Sequence, residues 1–183
     1  MRRTLMDWLV DVHLKYKLLP ETLFICVNLI DRYSAKSLIK RKDYQLVGVT
    51  CMLIAAKYEE IYPPYVDNFV YITDHAYRRE QIIDKEREIL EELQFDITFV
   101  TQFRLLQRYA KIARSSEAAF MVAQYTLELS LVEVAMNRWR PDVLACSAIY
   151  IGKKILKQSD PWLPLLVAQA GLSPSEIRNC ARE

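Results

Sequence analysis

Hydrophobic residues recur along this chain with the period of an α-helix, and short polar or proline-containing segments separate the runs. Prolines mark many of the boundaries, because proline ends a helix or occupies its first turn. The predicted helices cover roughly residues 1–17, 20–37, 43–60, 64–72, 78–94, 101–114, 116–133, 141–157, 161–170 and 174–183. Asn-Gly and Asp-Gly turns between alternating β-branched segments are almost absent, and the chain has only three glycines. The pattern predicts an all-α fold.

The helical pattern repeats itself after about one hundred residues. The segment ETLFICVNLIDRY, which begins at Glu21, resembles EAAFMVAQYTLEL, which begins at Glu117. Likewise QLVGVTCMLIAAK, from Gln45, resembles DVLACSAIYIGKK, from Asp142, and small residues such as Gly48 coincide in the two. Small residues let helices approach closely, so we expect the third helix of each repeat to be its central one.

This repeat predicts two tandem five-helix domains, at residues 1–97 and 98–183. The first domain ends with the helix at 78–94. Its counterpart in the second domain begins near Pro174, and Glu183 is the last residue of the chain. We therefore expect the second domain to lack the last half of its fifth helix.

Charge and hydropathy give no sign of a nucleic-acid or membrane surface. The formal net charge is only +2, and we find no run of five or six like charges. The longest uncharged run, from Leu46 to Ala56, is about half of the ~20 residues that a membrane helix needs. Asp7 and Asp11 interrupt the first apolar segment, which argues against a signal peptide. We expect a soluble protein of the cytoplasm or nucleus.

No motif for catalysis, metal binding or a cofactor stands out. The four cysteines lie far apart without Cys-x-x-Cys spacing, which predicts reduced, buried thiols: Cys26, Cys51, Cys146 and Cys180. His13 and His75 are isolated, and we expect His13 at the surface rather than at a metal. A glycine-rich phosphate loop and a nucleophile with a nearby base are also missing. These features indicate a binding protein rather than an enzyme.

The first helix carries a wider apolar stripe than one core requires. Its core positions are Leu5, Leu9, Val12 and Tyr16. Met1 and Trp8 widen this stripe on one side, next to Thr4 and Asp11. Two interpretations remain open: Trp8 packs under a neighbouring helix, or the stripe forms a groove for a partner peptide, with Asp11 attracting a basic residue.

The fifth helix has a carboxylate in the middle of its apolar face. That face consists of Ile82, Ile89, Leu90 and Leu93, and Glu86 lies at its centre. A buried, unpaired carboxylate costs roughly several kcal/mol, so Glu86 is paired, neutralised or solvated. Lys57, the first charge after the buried run, is the natural partner, although it could simply complement the end of its own helix. We expect the following Glu59 and Glu60 to be solvated.

Four segments together resemble the cyclin box of A- and B-type mitotic cyclins. They are MRRTLMDWLVDV, PETLFICVNLIDRY, QLVGVTCMLIAAKYEEIYPP and FVYITDHAYRREQIIDKEREIL. The similarity is strongest from Met1 to Ile97 and weaker beyond. It implies two tandem cyclin boxes and an activating, non-catalytic subunit of a cyclin-dependent protein kinase that controls cell-cycle progression at G2/M.

The resemblance also assigns roles to residues. Lys57 and Glu86 match the charged pair that holds the recognition helix of the kinase. The matching apolar neighbours are Ile54, Tyr58, Leu90 and Ile97. The first helix matches the patch that docks substrates or inhibitors with an Arg-x-Leu sequence, at Met1, Leu5, Trp8, Asp11 and Gln45. Thr4 replaces a larger aliphatic residue there and Tyr44 replaces a leucine, which puts the peptide preference in question.

A different function for the same fold is a transcription or adaptor protein that binds DNA or another polypeptide. The lack of a basic stripe counts against DNA, and the pairing of Lys57 with Glu86 favours the kinase. We expect no cofactor, no metal and no nucleic-acid partner, and a location in the nucleus and cytoplasm.

Overall fold

A computed structural model describes residues 1–158 and 168–183 of the chain. The helices are α1 (Arg2–Lys15), α2 (Pro20–Lys36), α3 (Tyr44–Glu59), α4 (Val66–Ile72), α5 (Arg79–Glu92), α6 (Gln102–Ile112), α7 (Glu117–Val132), α8 (Pro141–Ile155) and α9 (Pro174–Cys180). Short 3-10 helices cover Arg41–Asp43 and Val134–Arg138. These residues contain no strand, so the all-α prediction is confirmed. The helix predicted at 161–170 lies largely outside the described residues.

The chain divides into two compact units, Met1–Phe99 and Val100–Glu183. In the first unit α3 is central and packs against α1, α2, α4 and α5. All residues from Leu46 to Ala56 are buried, which explains the uncharged run. In the second unit α8 packs against α6, α7 and α9. The third helix of each repeat is therefore the centre of its unit, as the small residues predicted.

Close helix approach depends on a glycine in each central helix. A Cβ atom on Gly48 of α3 would lie 2.7 Å from Cδ1 of Leu5 on α1. A Cβ atom on Gly152 of α8 would lie 2.5 Å from the carbonyl oxygen of Ala119 on α7. Both distances are too short for packed atoms. The lack of a side chain at these two positions is what brings the neighbouring helix so near.

Two expectations about polar residues are wrong, because both residues serve the start of α2. His13 is buried, and its Nε2 lies within hydrogen-bonding distance (2.9 Å) of the carbonyl oxygen of Leu19. Glu60 is not solvated: its Oε1 accepts the main-chain N–H of Leu19 at 2.7 Å and the hydroxyl of Thr22 at 2.6 Å. The first turn of a helix has N–H groups without internal partners, and here another segment supplies an acceptor next to them.

The four cysteines are free and buried, as predicted. Desolvation by burial raises the pKa of all four thiols above the usual value. Their thiols therefore stay protonated and unreactive near neutral pH. Within the described ranges, no helix is long and apolar enough to cross a membrane, and no group of His, Cys, Asp and Glu side chains could hold a metal ion.

Candidate functional site

Lys57 and Glu86 form an ion pair between the end of α3 and the middle of α5. The Lys57 Nζ donates to both carboxylate oxygens of Glu86 at 2.8 Å. The Lys57 side chain is 46% exposed and that of Glu86 is 15% exposed. The carboxylate thus lies in the seam between the helices, while the ammonium reaches over it from the solvent side. The sequence left Glu86 open as paired, neutralised or solvated, and in the structure it is paired with Lys57.

The packing of α5 explains why Glu86 lies there. Ile82, Ile89 and Leu93 of α5 are buried. Glu86 lies on the same face of the helix, because it is four residues after Ile82 and three before Ile89. The helix cannot bury this stripe against α3 without carrying Glu86 inward. Two charge-assisted hydrogen bonds from Lys57 offset part of the desolvation of the carboxylate.

Apolar side chains lie next to this pair, and three of the four predicted ones reach the surface. Tyr58 is 45% exposed, and its hydroxyl lies 3.1 Å from the Oγ1 of Thr98. Leu90, one turn after Glu86 on α5, and Ile97 are half-buried. Ile54 is only 3% exposed and belongs to the core beneath the site. We call the surface of Lys57, Glu86, Tyr58, Leu90 and Ile97 the charged-pair surface.

The segment between α3 and α4 presents further apolar side chains that the sequence reasoning did not include. Ile61 is 85% exposed and Tyr62 is 91% exposed, and both come directly after Glu60. Tyr65, after the two prolines, is also exposed. The sequence does contain a signal for this exposure: these large apolar residues lie on either side of Pro63 and Pro64, where no helix can bury them. Exposed apolar residues next to a polar pair are typical of protein-binding surfaces.

A second surface is an apolar pocket of about 350 Å³ between the start of α1 and the start of α3. Its lining residues are Met1, Thr4, Leu5, Trp8, Arg41, Tyr44 and Gln45. This set contains every predicted docking residue except Asp11, which is exposed but does not line the pocket. Trp8 therefore lines an open groove, rather than lying wholly beneath a neighbouring helix. We call this surface the α1 groove.

Arg41 in the α1 groove is a residue that the sequence reasoning missed. It belongs to the 3-10 helix Arg41–Asp43, which leads directly into α3. That turn places Arg41 three and four residues before Tyr44 and Gln45, on the same side of the chain. The lining of the groove therefore includes the cation Arg41. Asp11, the acidic residue that was predicted for the groove, does not line it.

A family model described as "Cyclin, N-terminal domain" matches residues 1–98, and one described as "Cyclin, C-terminal domain" matches residues 98–183. The chain belongs to the cyclin family. Cyclin-B2-1 of Oryza sativa subsp. japonica is 40% identical over 182 residues, covering 100% of this cyclin and 43% of the relative. The G2/mitotic-specific cyclin-B of Dictyostelium discoideum is 41% identical over 184 residues, covering 100% and 42%. This cyclin therefore spans less than half the length of these curated relatives.

Solved structures share its fold. A viral cyclin from herpesvirus saimiri superimposes with a TM-score of 0.89 at 20% identity, covering 99% of this cyclin and 81% of that chain. A chain of the yeast RNA Pol II CTD kinase CTDK-1 complex gives a TM-score of 0.80 at 13% identity, covering 98% and 62%. The predicted architecture of two tandem cyclin boxes is confirmed.

Proposed function

We propose that this cyclin binds a cyclin-dependent protein kinase through the charged-pair surface and activates it without chemistry of its own. The observation that carries the proposal is the geometry of Lys57 and Glu86, which offers a fixed donor and acceptor among exposed apolar side chains. Relatives named as B-type cyclins support it, as do structural neighbours from kinase complexes, CTDK-1 and the CAK complex of Chaetomium thermophilum.

The pair suits recognition of a helix. An ammonium group has three N–H donors, and Glu86 takes two of those of Lys57. The remaining donor can bind a carbonyl oxygen at the end of a partner helix, where the last carbonyls lack internal partners. Tyr58 and Leu90 then cover the apolar side of that helix. A kinase is active only when the glutamate of its αC helix pairs with its β3 lysine, so a cyclin that fixes this helix favours the active state.

Substrate recruitment is the second part of the proposal. The α1 groove would take the leucine of an Arg-x-Leu segment against Leu5 and Trp8. Asp11, on the turn of α1 after Trp8, would attract the arginine. Arg41 opposes that charge, so we propose that the arginine binds on the Asp11 side of the groove.

We further propose that this cyclin acts at G2/M, in the nucleus and cytoplasm. The name of the Dictyostelium relative, G2/mitotic-specific cyclin-B, supports the stage. The alternative of a DNA-binding cyclin-fold protein has less support, because the net charge is +2. Salt-dependent binding in a DNA shift assay, without any kinase binding, would favour that alternative.

Kinase activation by paired charge variants tests the main proposal. The cyclin is mixed with a cyclin-dependent kinase, and binding and phosphorylation of a histone-like substrate are measured. The double variant Lys57→Glu with Glu86→Lys keeps an ion pair between α3 and α5 but reverses its direction. We expect this variant to stay folded and to lose most of the activation. Absence of binding by the unchanged cyclin at micromolar concentration would refute the proposal, and full activation by the swapped variant would refute the role of the pair.

A further inference from the structure

The second unit has a surface that corresponds to the charged-pair surface, but the charged residues that the structure describes there are all cations. The repeat that aligns Gln45 with Asp142 also aligns Lys57 with Lys154, which lies near the end of α8 as Lys57 does in α3. Lys154 is exposed, like its counterpart. The position that Glu86 occupies in the first unit must therefore be found on α9, which packs against α8.

The starts of α5 and α9 give the register. Both starts have the same hydrogen bond: Gln81 Oε1 accepts the main-chain N–H of Arg78 in α5, and Glu176 Oε2 accepts that of Ser173 in α9. With these two bonds aligned, the fully buried Ile82 corresponds to Ile177, which is also fully buried. The same register places Ala181 opposite Glu86. The carboxylate that pairs with the lysine in the first unit is therefore replaced by a methyl group in the second.

A pocket of about 480 Å³ occupies this place. Its described lining residues are Tyr150, Ile151, Lys154, Ile155, Arg178, Ala181 and Arg182. Three of these are cations, and none of the described lining residues is an Asp or a Glu. The Arg178 Nε donates to the carbonyl oxygen of Pro174 at 3.1 Å, and the Lys154 Nζ lies 5.5 Å from the centre of the Tyr150 ring. Within the part of the chain that the structure describes, no carboxylate pairs with any of the three cations.

This arrangement selects the chemistry of a ligand. Three positive charges around one pocket repel one another, and an anion bound between them removes that repulsion. The wall beside them is apolar, because Ile155 is 60% exposed and Ile151 also lines the pocket. A complementary ligand carries carboxylates next to an apolar side chain. An acidic stretch of polypeptide has both, whereas a nucleic acid backbone would leave Ile155 uncovered.

We infer that the pocket formed by Lys154, Arg178 and Arg182 in the second cyclin box binds an acidic segment of a partner protein. The carboxylates of that segment pair with the three cations, and an aliphatic side chain of the same segment packs on Ile155. The pocket lacks the acceptor of the charged-pair surface, so its partner differs from the one proposed for the first cyclin box. The inference does not depend on kinase binding.

Peptide binding to the whole chain tests this inference. The probes are a fluorescein-labelled peptide in which four glutamates flank one leucine, and the matched peptide with glutamines. Fluorescence anisotropy should show binding of the glutamate peptide and none of the glutamine peptide. Arg182→Glu should weaken the binding about tenfold or more, because it replaces attraction by repulsion at the pocket. Ala181→Glu should also weaken the binding about tenfold or more, although it removes no cation. It places a carboxylate at the position that corresponds to Glu86, where it can pair with Lys154 and repel the peptide.

Lys157→Glu is the matched control, because Lys157 is exposed close to Lys154 but does not line the pocket. It should change the affinity by less than about twofold, since screening weakens attraction outside the pocket. Lys57→Glu should leave the peptide affinity unchanged, which separates this pocket from the proposed kinase site. Circular dichroism checks that each variant is folded. Equal binding of both peptides, an equal loss with Lys157→Glu, or tighter binding of a labelled poly-uridine RNA would each overturn the inference.

Discussion

Glu60 accepts the main-chain N–H of Leu19 at 2.7 Å and so joins the residue that follows α3 to the residue that caps α2. The same carboxylate oxygen accepts the hydroxyl of Thr22, which is fully buried in the first turn of α2. Leu19, the residue that precedes α2, has no side-chain acceptor for the first turn. The start of α2 therefore depends on a residue that lies three positions after Lys57.

Glu60→Ala should lower the free energy of unfolding by about 1–3 kcal/mol, because it removes a charged acceptor from two donors. Glu60→Gln should cost less, because the amide oxygen can still accept from the same donors. Urea denaturation of the two variants measures the difference. Equal losses in both variants would mean that the charge, and not the hydrogen bonds, supplies the stabilisation. No loss in either would mean that the contact contributes nothing.

Glu86→Lys should weaken kinase binding by about tenfold or more, because it places a like charge beside Lys57 in the proposed interface. Glu86 is only 15% exposed and the new ammonium would lie beside that of Lys57, so we also expect the free energy of unfolding to fall by about 1–3 kcal/mol while the helices stay formed. Calorimetry or surface plasmon resonance measures the affinity, and circular dichroism measures the helicity.

Glu91→Lys is the matched control for Glu86→Lys. It makes the same charge change on α5 at an exposed residue, roughly 140° around the helix from Glu86 at about 100° per residue. We expect Glu91→Lys to bind the kinase as the unchanged cyclin does. A loss of helicity in Glu86→Lys that matches its loss of binding would give this residue a structural role instead.

The sequence predicted the elements because their causes are local. The uncharged run from Leu46 to Ala56 could only be a buried helix, and Pro20 and Pro141 occupy the first turns of α2 and α8. The position of Glu86 in the centre of an apolar stripe was also predictable, and pairing with Lys57 was one of the three alternatives that such a carboxylate has.

Contacts that depend on packing were not predictable in the same way. Glu60 and Leu19 are 41 residues apart, and nothing in either neighbourhood indicates that the end of α3 lies beside the start of α2. Arg41 entered the α1 groove through a 3-10 turn, which has no strong sequence signal. Asp11 was placed at the groove by helical spacing and by resemblance, and spacing alone does not fix the edge of a pocket.

Trp8→Ala should reduce phosphorylation of Arg-x-Leu substrates several-fold while leaving that of short peptides without the motif unchanged. The reason is that Trp8 lines the α1 groove, where an aromatic wall is worth about 1 kcal/mol or more of binding energy. The ratio of kcat/KM for the two substrates is the measurement.

Leu14→Ala is the matched control for Trp8→Ala, because Leu14 is an exposed apolar residue of α1 that does not line the groove. It should affect neither substrate. Arg41→Gln should improve phosphorylation of the Arg-x-Leu substrate, because it removes the cation that opposes the arginine. Equal effects of Trp8→Ala on both substrates would argue against docking at this groove.

Gly48→Ala and Gly152→Ala should differ in stability, although both add one methyl group to a central helix. Alanine gains about 1 kcal/mol of helix propensity over glycine. At Gly48 the new methyl group meets Cδ1 of Leu5, the end of a flexible side chain that can turn away. At Gly152 it meets the carbonyl oxygen of Ala119, which belongs to the backbone of α7 and cannot move alone. We expect Gly48→Ala to be nearly neutral and Gly152→Ala to cost about 1–3 kcal/mol.

The two glycine variants also separate stability from docking. When Leu5 turns away from the new methyl group at Gly48, it moves within the lining of the α1 groove. Gly48→Ala should therefore weaken docking of an Arg-x-Leu peptide by a few-fold while the melting temperature changes little. Gly152→Ala should lower the melting temperature and leave docking unchanged as long as the protein is folded, because Gly152 lies outside the unit that contains the groove. Differential scanning calorimetry and peptide anisotropy on the same samples measure both effects, and a Gly48→Ala variant with unchanged docking would show that Leu5 does not shape the groove.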